Sequence, residues 1–128
     1  MRNDARENAF KLIFESLFHN LDKELSETNL EVLKKEEDKD FFDNIMSAFE
    51  THKDELKTKI EAKLKGYDYS RVYKIDLALI YLGLTEVLYC GTQKAVAINE
   101  AVELSKKYST DKSSKFVNAL IDAVVENK

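Results

Sequence analysis

The chain has 128 residues and a formal net charge of −4, and its apolar and charged shares, 44% and 34%, are those of an ordinary globular protein. It has no proline and only three glycines, so the turn residues that sheets and tight hairpins need are almost absent. The single cysteine, Cys90, excludes an internal disulfide and argues against a thiolate metal cluster. The N-terminus carries charges of both signs and lacks the apolar core of a signal peptide. We expect one all-α domain over residues 1–128, located in the cytoplasm and not in a membrane.

Apolar residues at helical spacing predict about seven helices, four of them in the first half of the chain. The first runs from about Asn3 to His19, with Asn3 or Asp4 as its cap. Ser26 is predicted to cap a short second helix, and the charged run Lys34–Asp40 is read as a solvated connection. A third helix follows at 41–49. The apolar residues at 56–64 mark a fourth helix, or the continuation of the third after a kink.

The second half of the chain predicts three helices. Ser70 is a candidate cap for the segment Val72–Leu88, which is apolar on every side and is therefore expected to be the buried centre of the domain. Residues 90–93 form a loop, and a sixth helix runs from about Ala95 to Tyr108. Ser113 is expected to cap a seventh helix.

No pattern in the sequence indicates catalysis or a cofactor. His19 and His52 lie far apart without a cysteine or a second histidine at ligand spacing, so neither predicts a metal site. Cys90 has no histidine nearby in sequence to activate it. The isolated glycines exclude a glycine-rich phosphate loop. The sequence therefore predicts a protein that is not an enzyme.

Charge is divided unevenly along the chain. Residues 22–61 carry 13 acids and 7 bases, a net of −6, whereas the remaining residues carry 11 acids and 13 bases, a net of +2. RNA binding depends on local charge, so this division leaves RNA binding possible. Tyr67, Tyr69 and Tyr73 cluster before the central helix, where they either form a partner surface or pack against the preceding helix.

Four segments together resemble the NusB family of bacterial transcription antitermination factors. Val96–Tyr108, with the sequence VAINEAVELSKKY, and Ser113–Asn118, with the sequence SSKFVN, resemble the two C-terminal signatures of that family in order and separation. Asp76–Leu88 resembles its central helix, and Ala5–Ala9 resembles its first helix.

The resemblance implies a fold of about seven helices in two packed subsets. It also implies a non-catalytic adaptor that pairs with the small-subunit ribosomal protein called NusE. The pair is expected to bind the single-stranded boxA element of nascent RNA, chiefly in ribosomal RNA operons, within the antitermination complex of RNA polymerase.

The resemblance places RNA contacts at both ends of the chain, on residues able to bind phosphate or to stack on bases. These residues are Arg2, Arg6, Ser113, Ser114, Lys115, Phe116 and Asn118. Simpler interpretations remain open: Ser113 as a cap, Lys115 as a solvated side chain, Phe116 as core, and Asn118 as a hydrogen-bonding group within the fold.

Three residues are expected to contact a protein partner. Asp76 and Phe14 match positions of the NusE interface in the resemblance, and an acid at Asp76 would suit a basic ribosomal protein. Tyr73 belongs to the tyrosine cluster described above. A homodimer of the free protein is also considered.

The sequence departs from the family pattern at several positions. The N-terminal arginines are sparse, Leu77 and Tyr81 stand where the family often has arginine, and Lys112 stands where it often has an acid. The sparse arginines permit a second hypothesis, a protein-only interaction module or homodimer that has lost RNA binding. A third is the accessory domain of an RNA-modifying enzyme, since a similar domain precedes some ribosomal RNA methyltransferases; the 128 residues contain no such catalytic domain.

Overall fold

The computed structural model describes residues 2–17 and 35–125, and within these residues the chain forms helices and no strand. The elements are α1 (Arg2–Ser16), α2 (Glu36–Lys63), a 3-10 turn (Tyr69–Arg71), α3 (Lys74–Tyr89), α4 (Lys94–Tyr108) and α5 (Asp111–Val125). The all-α prediction is confirmed, but the described part of the chain contains five α-helices. The predicted second helix after Ser26 lies outside the described residues. No described helix is both long and apolar enough to cross a membrane.

Helix α3 is the centre of the fold, as its sequence predicts. Every residue from Asp76 to Glu86 is buried, and α1, α2, α4 and α5 all pack against α3. In addition, α1 packs on α2, and α4 packs on α5. The arrangement is therefore two helix pairs that share one central helix, and α2 also reaches α5.

Helix α2 corrects two predictions, because it begins within the charged run and continues without a break to Lys63. Glu36, Glu37 and Asp38 occupy its first turn, where acids interact favourably with the helix dipole. The apolar pattern skips from Phe49 to Leu56, but seven residues make two helical turns. Both side chains therefore remain on the buried face. The predicted third and fourth helices are thus one helix of 28 residues.

The predicted caps of the first and central helices are also wrong. Helix α1 begins at Arg2, so neither Asn3 nor Asp4 precedes it as a cap. Ser70 lies within the 3-10 turn, where its N–H donates to the carboxylate of Asp68. Helix α3 begins only at Lys74, after this turn.

Gly83 sets the distance between α3 and α5. A Cβ atom at this position would lie 2.6 Å from Cδ1 of Ile121, which is closer than carbon atoms approach. Ile121 is fully buried, so its side chain has little space to move aside. The missing side chain of Gly83 therefore allows α5, which carries the candidate RNA-binding residues, to pack directly on the central helix.

Candidate nucleic-acid interface

The first turn of α5 is capped by Thr110 and not, as predicted, by Ser113. The hydroxyl of Thr110 accepts the N–H of Ser113 at 3.1 Å, and its carbonyl accepts the N–H of Ser114 at 3.1 Å. This is the usual geometry of an N-cap threonine. These two N–H groups are therefore satisfied within the fold, which leaves fewer donors for a phosphate at this helix end.

Asp76 joins the central helix to the start of α5. Its carboxylate accepts from the hydroxyl of Ser113 at 3.1 Å and lies 3.4 Å from the hydroxyl of Ser109. Asp76 as a whole residue is only 4% exposed. Burial raises the pKa of Asp76 above its ordinary value, and the hydrogen bonds from the two serines partly oppose that rise. Asp76 thus holds the first turn of α5 against α3.

Ser114 faces the interior on the other side of the same turn. Its hydroxyl is hydrogen bonded to that of Ser105, a fully buried residue of α4. Ser113 and Ser114 therefore both use their side chains to fix α5 within the fold. Their predicted contact with RNA stays a prediction, and this geometry gives it no support.

The other candidate residues of α5 lie at the surface. Lys115 and Asn118 are exposed, and Phe116 is half-buried. The ring of Phe116 lies 5.9 Å from that of Tyr67, measured between centroids, and the two planes are inclined by 34°. The ring pair offers aromatic faces for stacking, which single-stranded RNA requires, while Lys115 and Asn118 lie about 100° and about 160° around α5 from Phe116.

Three rings and three lysines define what we call the aromatic surface. Tyr67 is 54% exposed and Tyr73 is 73% exposed, unusually high fractions for tyrosine in a folded chain. Two hollows of about 370 and 330 Å³ border the surface, and Tyr67 and Phe116 line both of them. The members of the aromatic surface are Tyr67, Tyr73, Phe116, Lys63, Lys65 and Lys112.

Sequence reasoning identified Lys112 but missed Lys63, Lys65 and the pairing of Tyr67 with Phe116. The rings are 49 positions apart in sequence, so no periodicity within one helix can connect them. A usable signal was present, because Lys63, Lys65 and Tyr67 surround Gly66 at the end of α2. Gly66 adopts a φ of 70°, a conformation that favours glycine, and so directs the chain away from α2.

Arg6 does not lie on the exposed face of α1. It is 5% exposed, and its Nε lies 2.9 Å from each carboxylate oxygen of Glu86 on α3. Glu86 also accepts from the hydroxyl of Thr92 at 3.0 Å, and Arg6 donates from Nη1 to Asn3 at 3.2 Å. The structure gives Arg6 a role inside the fold, so its predicted RNA contact is without support from this geometry. The side chain of Arg2 lies outside what the structure describes.

Burial affects the carboxylate of this pair as well. It raises the pKa of Glu86, while the charge and the hydrogen bond of Arg6 oppose that rise. Removing Arg6 would leave a fully buried carboxylate whose remaining side-chain donor, among the residues that the structure describes, is Thr92.

A cleft of about 450 Å³ separates the exposed parts of α1 and α4, and we call it the α1–α4 cleft. Glu7 accepts from Lys107 at 2.8 Å and from the hydroxyl of Tyr108. Burial alone would raise the pKa of Glu7, but these hydrogen bonds and the charge of Lys107 lower it overall. Lys106 lies 3.4 Å from Glu103. The cationic groups described in this cleft are therefore paired within the protein.

The predicted partner-binding residues lie in different environments. Tyr73 is exposed, whereas Phe14 is half-buried and lies 6.3 Å from Phe10 between ring centroids. The carboxylate of Asp76 already accepts hydrogen bonds from the hydroxyls of Ser113 and Ser109. Tyr73 and Asp76 border the same hollow, and Phe14 is not among its lining residues.

Comparison with known proteins agrees with the resemblance in the sequence. The NusB family profile matches residues 3–126. The chain is 35% identical over 133 aligned residues to the transcription antitermination protein NusB of Finegoldia magna, an alignment covering 99% of this chain and 95% of the relative. It is 39% identical over 127 residues to the NusB protein of Agathobacter rectalis, covering 94% and 95%.

Solved structures show the same fold. NusB of T. maritima superposes with a TM-score of 0.85 at 25% identity, covering 98% of this chain and 91% of that one. A chain from a crystal structure of the antitermination factors NusB and NusE with dsRNA superposes with a TM-score of 0.83 at 21% identity, covering 99% and 97%. The family match extends over nearly the whole chain and agrees with the fold and with both C-terminal signatures, so this protein belongs to the NusB family.

Proposed function

We propose that this protein is a non-catalytic transcription antitermination factor that pairs with NusE and binds boxA RNA in nascent ribosomal RNA transcripts. Two findings support the proposal: the family membership and the aromatic surface. Curated relatives covering almost the entire chain are named transcription antitermination proteins. A structural neighbour comes from a crystal structure of the antitermination factors NusB and NusE in complex with dsRNA. The single RNA-binding domain spans residues 1–128 and acts in the cytoplasm, in the antitermination complex of RNA polymerase.

The aromatic surface is the observation from which we assign RNA binding to particular residues. Three lysines border two hollows that are divided by a ring pair, and the acid at the floor, Asp76, is buried and hydrogen bonded. Exposed Lys115 flanks this surface, one residue before Phe116 on α5, whereas exposed Asn118 lies on the far side of the same helix. Lysines supply phosphate contacts and rings supply stacking, the two main contributions to binding of single-stranded RNA. We assign phosphate contacts to Lys115 and Lys112 and base contacts to Phe116.

Partner binding by NusE is proposed for Tyr73 and Phe14. Tyr73 presents a large, mostly exposed ring of the kind enriched at protein interfaces. Phe14 lies near the C-terminal end of α1 and is half-buried. Asp76 contributes indirectly in this proposal, since it holds Ser109 and Ser113 and thereby the helix end beside Tyr73.

A gel-shift titration tests the proposed function. Labelled boxA RNA and a scrambled RNA of the same composition are titrated with the protein, with NusE, and with an equimolar mixture. The mixture is expected to retain boxA RNA more tightly than either protein alone and more tightly than the scrambled RNA. Size-exclusion chromatography of the mixture at micromolar concentration tests the pairing itself. If the two proteins elute separately and the mixture binds boxA RNA no more tightly than either protein alone, the proposal is wrong and a protein-only role takes its place.

A further inference from the structure

The two hollows beside Tyr67 and Phe116 are arranged around one ring pair. Their volumes, about 370 and 330 Å³, fall at the lower end of the range for small-molecule sites, roughly 300–1,000 Å³. One hollow lies towards the start of α3, and the other lies along α5 and the end of α2. Both hollows are open at the surface, and the rings of Tyr67 and Phe116 line each of them.

The ring pair itself has no space for a third ring inside it. A centroid distance of 5.9 Å is that of two aromatic rings already in contact. A nucleobase therefore cannot insert between Tyr67 and Phe116 and must stack against an outer face. Both rings line both hollows, so the pair offers one stacking position in each hollow.

The two hollows differ in chemistry. The first contains the hydroxyl of Thr110, the exposed ring of Tyr73 and the ammonium of Lys112. The second is lined by small and apolar side chains, among them Ala119 and Ala123, with Lys63 and Lys65 beside them. Polar groups can bind the edge of a particular base, whereas an apolar wall accepts any base. The lysines beside both hollows suit a polyanion and not a basic peptide.

We propose that Tyr67 and Phe116 form a stacking platform for two consecutive unpaired nucleotides of RNA, one in each hollow. This inference rests on the proposed function and extends it to Tyr67 and to a two-nucleotide site. The nucleotide in the first hollow is selected by its base edge at the hydroxyl of Tyr73, since the hydroxyl of Thr110 already accepts the N–H of Ser113 and donates to the hydroxyl of Ser113. The nucleotide in the second hollow is held by stacking and by phosphate contact with Lys65, without selection of the base.

An abasic scan tests the platform. A short unstructured boxA RNA is prepared in a series in which each nucleotide in turn lacks its base, and each RNA is titrated with the complex of this protein and NusE. Wild-type protein is expected to show two adjacent positions at which loss of the base weakens binding about tenfold, the size of one stacking contact. Tyr67→Leu is expected to weaken binding of the intact RNA to a similar extent and to abolish the sensitivity of at least one of these positions.

Two further variants keep the test specific. Tyr67→Trp retains a stacking face and is expected to bind as tightly as the wild-type protein. Tyr89→Leu removes a different tyrosine, one whose ring stacks on His52 at 3.8 Å and lines neither hollow, and it is expected to leave the scan unchanged. Since Tyr67 is mostly exposed, the thermal midpoint of Tyr67→Leu should match that of the wild-type protein.

The outcomes separate this inference from the proposed function. If wild-type protein with NusE does not retain boxA RNA, the proposed function fails first. If the wild-type complex binds RNA but Tyr67→Leu binds equally well, or the sensitive positions are not adjacent, the platform is overturned while the proposed function stands. If Tyr67→Leu weakens NusE binding in the absence of RNA and leaves the abasic profile unchanged, the hollows hold the protein partner and the platform is likewise overturned.

Discussion

The aromatic surface and the α1–α4 cleft both carry cationic side chains, but they use them differently. In the cleft, Lys107 binds Glu7 and Lys106 lies beside Glu103, while Arg6 below them is buried against Glu86. On the aromatic surface, Lys65 and Lys112 are exposed beside rings that are themselves partly exposed. Counting basic residues in the sequence therefore says little about RNA affinity, because the local partners of each cation decide whether it is available.

The largest effect is expected from Arg6→Ala, which should destabilise the fold. The variant leaves the buried carboxylate of Glu86 without its main counter-charge, and breaking a buried pair in this way costs about 3–5 kcal/mol. Urea unfolding followed by circular dichroism measures the loss. The matched control is Arg71→Ala, at an exposed arginine of the 3-10 turn, expected to cost less than about 0.5 kcal/mol.

A double variant distinguishes the ion pair from general loss of packing. Arg6→Met with Glu86→Leu replaces both charges by apolar side chains of similar size and should recover most of the loss. Equal stability of Arg6→Ala and Arg71→Ala would show that Arg6 is not committed to the fold. The comparison between the two regions would then fail.

The next effect concerns the close packing of α3 and α5. Gly83→Ala places a methyl group against Cδ1 of Ile121 and is expected to destabilise the protein by about 1–3 kcal/mol, even though alanine favours helix more than glycine does. Ile121→Val removes the obstructing atom. In the Ile121→Val background the added methyl group should therefore be neutral or stabilising, as thermal unfolding of the four proteins of the cycle would show. Strict additivity of the two changes would contradict the close approach.

A smaller effect is expected when one exposed lysine is removed from α5, next to the aromatic surface, and one from the α1–α4 cleft. Lys115→Ala should weaken RNA binding several-fold and reduce the slope of log affinity against log salt by about 0.7, the loss of roughly one phosphate contact. Lys106→Ala, at an exposed lysine of the α1–α4 cleft, is the matched control and should leave the slope unchanged. Equal changes in the salt slopes of the two variants would show that the RNA contacts the α1–α4 cleft as well.

The smallest effect is a pH dependence at Asp76. The folded protein raises the pKa of this carboxyl, so it binds the proton more tightly than the unfolded chain does. The free energy of unfolding should therefore fall as the pH rises from the ordinary pKa of 3.8 through the raised pKa of the folded state, and remain lowered above it. Glu86 titrates in the same direction, so the difference between wild-type and Asp76→Asn isolates Asp76. A difference with the opposite slope would contradict the assignment.

Local patterns predicted the elements that depend on neighbours in sequence. The central helix α3 was predictable because its residues are apolar on every side, and α4 began within one residue of its predicted start. Of the two alternatives for residues 56–64, the structure shows the continuation of the third helix, and half-buried His52 lies between Phe49 and Leu56 and stacks on Tyr89 at 3.8 Å.

Contacts between distant residues limited what the sequence could predict of the site. Arg6 and Glu86 are 80 positions apart, so the sequence does not show that the arginine expected to bind RNA is already paired. In the same way, Thr110 replaces Ser113 as the cap, and Ser113 turns to Asp76, 37 positions away. Of the predicted site residues, Phe116 lies against Tyr67 and lines both hollows, and Lys115 and Asn118 are exposed.

Photochemical cross-linking of RNA to the protein tests the central claim most directly. A boxA RNA substituted with 4-thiouridine is bound to the complex with NusE, irradiated and digested, and the cross-linked peptides of this chain are identified by mass spectrometry. The aromatic surface predicts cross-links within residues 63–73 and 110–118. Cross-links confined to residues 3–7 or 100–107, at the α1–α4 cleft, would contradict the account.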